Sequence, residues 1–124
     1  MVTHIDDCIG RIVRQVKESG LWDKTIFVFA ADHGEMMGNH WLLRKDFFAY
    51  RDLLRVPMFI AGAPIEKIKK IERVSDFTNH IDLLPTLCSI CGLNWDNSVD
   101  GIDISATLAG KKLARSHVFS EFQN

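Results

Sequence analysis

Apolar residues recur at three- and four-residue steps near the start of the chain. Ile5, Cys8, Ile9, Ile12, Val13 and Val16 form one stripe, which predicts an amphipathic helix over residues 3–19. Thr3 stands where it can cap the start, and Gly20 where it can end the helix in a left-handed turn. The period then changes. Residues 25–31 (TIFVFAA) are apolar without alternation, the pattern of a strand buried on both faces. A second such run spans residues 56–61 (VPMFIA), with Pro57 near its start as strand geometry requires. Gly62-Ala63-Pro64 marks a turn. Residues 65–71 (IEKIKKI) read as a solvated loop or a short helical turn. Leu84, Leu87, Cys88 and Cys91 share a face in a second predicted helix over residues 82–91, with Pro85 in its first turn and Gly92 as its stop. Residues 118–122 are a candidate late strand. The order is helix, strand, strand, helix and a further strand, an α/β pattern.

Between the two strands lies a long mixed segment, from Asp32 to about Leu54, with a short helix predicted over residues 47–54. Long connections of this kind in compact domains are more often functional than accidental. At its head the apolar run stops at Asp32-His33-Gly34. Open α/β sheets present ligand-binding groups at strand ends of this sort. A carboxylate beside an imidazole can face one metal ion, and glycine lets the backbone turn beneath them. A hard cation such as Ca²⁺ takes about six to eight oxygen-rich ligands, so two side chains are only part of a shell. Lys45, thirteen residues after Asp32, brings a movable ammonium suited to an anionic substrate. His40 is a candidate hydrogen-bond donor or proton carrier. Each of these, taken alone, is matched by a plain surface role.

Composition narrows the field further. The chain has 124 residues, 47% hydrophobic and 25% charged, with a formal net charge of -1. Nothing in that balance favours nucleic acid. No apolar run is long enough to span a bilayer, and the opening MVTHIDDCIG lacks the pattern of a secretory signal. Three cysteines imply no disulfide framework. Cys88 and Cys91 form a CxxC that closes a helix rather than opening one, so packing as small apolar groups is the expected role. Asp6-Asp7 lies within the first helix, where neighbours diverge by about 100°, and reads as a solvated face.

Several segments, in order, resemble the sulfatase family of the alkaline-phosphatase-like superfamily. Ile5-Asp6-Asp7-Cys8-Ile9-Gly10-Arg11-Ile12 is similar to its D-x-x-(I/V)-G-(R/K)-(I/L) helix. Residues 20–26 are similar to G-L-x-D-N-T-(I/V). Residues 32–40, DHGEMMGNH, are close to D-H-G-E-M-L-G-x-H. Lys45, Tyr50 and Arg55-Val56-Pro57 keep the spacing of K-x4-Y-x4-R-V-P, and residues 82–87 match D-(L/I)-x-P-T-(L/I). Asp100-Gly101-Ile102-Asp103 resembles D-G-x-S.

The resemblance implies a partial alkaline-phosphatase-like fold, a mixed sheet flanked by helices. Asp32 and His33 would be two ligands of a divalent cation, commonly Ca²⁺, with Mg²⁺ or Mn²⁺ in relatives. Lys45 would contact sulfate or phosphate oxygens, with His40 near the site. Tyr50 and Arg55 would support it. The expected activity is metal-dependent hydrolysis of sulfate esters. The alternatives are phosphodiester or phosphonate-ester chemistry in the same superfamily, or a non-catalytic metal- or partner-binding role. The implied partners are sulfated or phosphorylated small molecules or glycans, with self-association through exposed strand edges also expected. The sequence departs from the family at Trp41, where glycine is frequent, and at Arg51-Asp52, where two glutamates are frequent. The family's nucleophile motif, C/S-x-P-x-R, does not occur in residues 1–124, nor does its early Asp-Asp pair. The resemblance therefore covers the later portion of such a catalytic domain, and negligible turnover is expected of this portion alone.

Overall fold

The structure, a computed structural model, describes residues 1–45, 48–96 and 98–121. The chain forms two compact units, Met1–Lys67 and Ile68–Asn124.

In the first unit, helix α1 spans Val2–Glu18. Thr3 lies within it, and no side chain caps its start. Gly20 follows with φ 67°, the left-handed stop that the sequence pattern predicts. Cys8, Ile9, Val13 and Val16 are half-buried, while Ile5 and Ile12 stay exposed. A short 3₁₀ turn, Trp22–Lys24, leads on, with the Lys17 ammonium 4.7 Å from the Trp22 ring centroid.

Strand β1 is Phe27–Ala30 and strand β2 is Met58–Ala61. They pair antiparallel, Phe27 opposite Ala61 and Ala30 opposite Met58. The apolar runs at 25–31 and 56–61 had pointed to longer, fully buried strands. Instead, each pairs over four residues, and both are half-buried to exposed. Phe29 stacks on Phe59 directly across the ladder, with centroids 5.1 Å apart, and Phe27 reaches the same ring diagonally at 6.2 Å. Cross-strand aromatic pairs of this kind add about 0.5–1 kcal/mol each and fix the register.

Helix α2, Arg51–Leu54, is the C-terminal half of the short helix predicted over 47–54; Phe47 lies outside the described residues. Helix α3, Ala63–Glu66, gives the first part of the ambiguous segment 65–71 a helical turn. Gly62 precedes α3 with φ 118°, and a Cβ there would fall 2.1 Å from the Thr25 carbonyl oxygen. Met36, Leu53 and Ile65 are the buried apolar side chains of this unit.

In the second unit, a 3₁₀ turn, His80–Asp82, runs into helix α4, Leu83–Cys91, and α5 follows at Ser105–Leu108. Gly92 ends α4 with φ 68°. The face that α4 buries is not the one its apolar spacing predicts. Asp82, Pro85 and Thr86 are buried, whereas Leu84 and Cys91 are exposed. The reason is polar. The Asp82 carboxylate accepts from Asn79 N at 2.7 Å, from Ile102 N at 3.0 Å and from the two terminal Arg115 guanidinium nitrogens at 2.5 and 2.9 Å. One turn later the Thr86 hydroxyl accepts from Ile104 N at 3.0 Å. Gly101 makes the approach feasible, since a Cβ there would meet the Ile81 carbonyl oxygen at 1.9 Å.

Thr86→Val keeps the shape and strands the Ile104 N–H. A buried donor without a partner costs about 1–3 kcal/mol, which urea unfolding at neutral pH is expected to register. Residues 118–121 form no strand, and Phe122 of that predicted strand lies outside the described residues. None of the described helices is long and apolar enough to cross a membrane.

Candidate metal and oxyanion site

The end of β1 builds the site. Ala31 N donates to Pro57 O at 3.2 Å, closing the ladder, and the chain then leaves the sheet at Asp32-His33. The next backbone bond, Gly34 N to Leu53 O at 2.9 Å, ties this exit to α2. Gly34 does not take a left-handed turn. It is glycine because a Cβ would lie 1.7 Å from the Asp52 carbonyl oxygen. The close approach of α2, rather than the turn that the sequence suggests, is what demands it.

That approach fixes the imidazole. His33 Nδ1 lies 2.8 Å from Gly34 O. A carbonyl oxygen only accepts, so Nδ1 carries the proton and Nε2 keeps its lone pair. Lys45 Nζ donates to that lone pair at 2.8 Å. Asp32 Oδ2 lies 3.4 Å from the same Nε2, while Oδ1 accepts from His33 N at 2.9 Å. That backbone hydrogen bond holds the Asp32 carboxyl below its ordinary value of 3.8; the nearby Lys45 ammonium acts in the same direction, and partial desolvation opposes them. Three of the four residues singled out in the sequence therefore meet at one point.

The fourth does not join them. His40 sits in the 3₁₀ turn Asn39–Trp41 with φ 54°, and its ring stacks on Tyr50 at 4.2 Å. Among the described residues no hydrogen bond links His40 to Asp32, His33 or Lys45. Sequence reasoning also missed the tie that sets this loop in place, Asn39 Nδ2 donating to Asp52 Oδ1 at 2.7 Å. Asp52 stands where the resemblance leads one to expect a glutamate, and here it accepts from the loop.

The donors fit a cation. Two ligand atoms on one divalent ion stand about 3 Å apart, and Oδ2 and Nε2 are already near that separation with the correct tautomer set. The described residues hold no group of three or more His, Cys, Asp or Glu side chains that could ligate an ion, so a cation held by this pair would need further ligands.

A family model described as Sulfatase matches residues 1–93. The chain belongs to the sulfatase family. The arylsulfatase of Clostridium perfringens is 36% identical over 104 residues, 83% of this chain and 21% of that protein. The multifunctional alkaline phosphatase superfamily protein PehA of Trinickia caryophylli is 35% identical over 114 residues, 90% of this chain and 21% of its own length. Among solved structures, the phosphonate monoester hydrolase of Agrobacterium radiobacter superposes with a TM-score of 0.81 at 36% identity, over 92% of this chain and 22% of that one. The α/β, alkaline-phosphatase-like fold expected from the motifs is thereby established. This sulfatase-family chain spans about a fifth of the length of these relatives.

Proposed function

We propose that this chain carries part of the cation- and oxyanion-binding site of a hydrolase acting on sulfate esters. The observation that supports this reading is the convergence of Asp32 Oδ2 and Lys45 Nζ on His33 Nε2. Bound to Asp32 and His33, a divalent cation, Ca²⁺ before Mg²⁺ or Mn²⁺, would polarise an ester oxygen as a Lewis acid. The chain's own residues do the rest of the positioning. Gly34 O holds the His33 tautomer, the adjacent carboxylate stays ionised, and Lys45, which a cation would displace from His33 Nε2, turns its donors to the peripheral oxygens of a sulfate group. In this reading His40 orients the loop through Tyr50. The substrate is a sulfated small molecule or glycan.

A second reading, a phosphonate or phosphodiester hydrolase, is favoured by the superposition on the Agrobacterium enzyme. A phosphonate monoester carries the same single negative charge on a tetrahedral centre, with two peripheral oxygens in place of three. Competition between phenyl sulfate and phenyl methylphosphonate for the Lys45 site separates the two.

Calorimetric titration of the 124-residue chain with CaCl₂ tests the shared core of both readings. Asp32→Asn and His33→Gln are each expected to weaken binding by more than about tenfold, the lower end of what losing even an outer partner costs. Lys45→Met frees the His33 Nε2 lone pair and is expected to retain or tighten cation binding while lowering affinity for inorganic sulfate. Unchanged calcium affinity in the first two variants would refute the assignment.

A further inference from the structure

The loop between His33 and Lys45 carries a feature that cation and oxyanion binding leave unused. Trp41 is 99% exposed and stands at φ 63°, a backbone region that bulky side chains rarely enter. It is not alone in this. Met37, His40 and Arg44 also have positive φ, at 51°, 54° and 69°, and Gly38 at 94°. Backbone strain of this density persists only where surrounding bonds over-determine it, and it concentrates at ligand clamps.

Those bonds are present. Asn39 N donates to Met36 O at 2.8 Å, Gly38 N to Leu42 O at 2.9 Å, Trp41 N to Gly38 O at 3.1 Å and Met36 N to Arg44 O at 3.3 Å. Met36 is fully buried and roots the loop. The Asn39–Asp52 hydrogen bond and the His40–Tyr50 stack fasten its flank. The indole is therefore held on a stitched backbone, with its ring uncovered among the described residues.

The loop closes at the oxyanion contact. Arg44 pairs with Met36, and the next residue, Lys45, touches His33. Three residues lie between Trp41 and Lys45, a backbone path of at most about 14 Å.

We propose that Trp41 is a specificity-determining platform, on which the ring of the ester's alcohol portion stacks while Lys45 holds the sulfuryl or phosphoryl oxygens. This rests on the oxyanion role of Lys45 proposed above. The ligand is an ester of a flat-faced ring, aryl or pyranose, in preference to one of an alkyl chain. An indole face serves both ring types, and an aliphatic tail gains little from it.

The test uses the 124-residue chain, isotopically labelled, in excess CaCl₂, titrated with phenyl sulfate, glucose 6-sulfate and ethyl sulfate. All three are expected to shift the Lys45 and Gly34 amide resonances. Only the ring esters should move the Trp41 indole N–H, with Trp22 and Trp95 as internal references. Whichever of phenyl sulfate and glucose 6-sulfate binds tighter identifies the ring. Ring esters are expected to bind about three- to tenfold more tightly than ethyl sulfate. Trp41→Ala should erase that preference without altering ethyl sulfate affinity, and Trp41→Phe should restore part of it. An exposed side chain leaves the fold of these variants intact. A ring preference that survives Trp41→Ala, or a silent Trp41 indole, overturns the platform. If no sulfate shifts Lys45, the oxyanion reading itself fails, and the platform falls with it.

Discussion

Arg115→Leu is expected to be the most damaging single substitution in the second unit, at about 3–5 kcal/mol, the range for a buried carboxylate left without its partner. Asp82 is fully buried, and Arg115 supplies two of its four hydrogen bonds. Burial pushes the Asp82 carboxyl up. The Arg115 hydrogen bonds, with those from Ile102 and Asn79 backbone N–H, outweigh it and hold the group below the ordinary 3.8. The folded state therefore releases this proton more readily than the unfolded state. The stabilisation is complete above pH 4 or so, and is lost as the pH falls through the folded-state value. Removing Arg115 removes part of the opposing force and leaves the Ile102 and Asn79 N–H bonds, so the carboxyl rises from its lowered position. The variant should lose less stability than the parent as Asp82 is protonated. Urea denaturation of both proteins between pH 3 and 7 is expected to give a shallower acid limb for the variant. Parallel curves would mean that the ion pair contributes nothing specific to this fold.

Gly34→Ala is expected to disable the site by moving it. The added methyl would lie within bonding distance of the Asp52 carbonyl oxygen, so β1 and α2 must separate. That breaks the Gly34 N to Leu53 O bond and shifts the carbonyl that orients His33. Overpacking against backbone together with one lost hydrogen bond amounts to about 2–4 kcal/mol. Calcium and sulfate affinity should fall together, because Asp32, His33 and Lys45 all depend on that junction. Thermal unfolding and calcium titration of the same preparation check both effects. A variant that stays stable and binds calcium normally would mean that the junction is more compliant than its geometry indicates.

The sequence was most readable where chemistry and local geometry coincide. Asp32 and His33 are adjacent, and Lys45 is the next cation able to reach them around a short loop, so their meeting follows from proximity along the chain. His40 did not follow, because its ring direction depends on a left-handed backbone angle that no residue-type pattern at a histidine announces. The same limit hid the second unit's interior. Leu84, Leu87, Cys88 and Cys91 have helical spacing, yet α4 buries Asp82 and Thr86 because backbone N–H groups from residues 102 and 104 arrive there. Partners about twenty positions away cannot be inferred from period. The helix ends at Gly20 and Gly92, by contrast, were legible because a left-handed stop is a property of one residue. The strands were over-read in length and burial, since a continuous apolar run reports what a strand is able to bury and not how far its ladder extends.

The antiparallel pairing of β1 and β2 has a consequence for how such a site diversifies. Ala31 and Pro57 share a hydrogen bond, so the polypeptide departs and returns through one doorway. Everything from Asp32 to Val56 is an excursion whose two feet stand together. Insertions or exchanges within it change what is recognised without disturbing the ladder beneath, and a cassette carrying a different residue at position 41 could be transplanted onto the same two strands to retune selectivity.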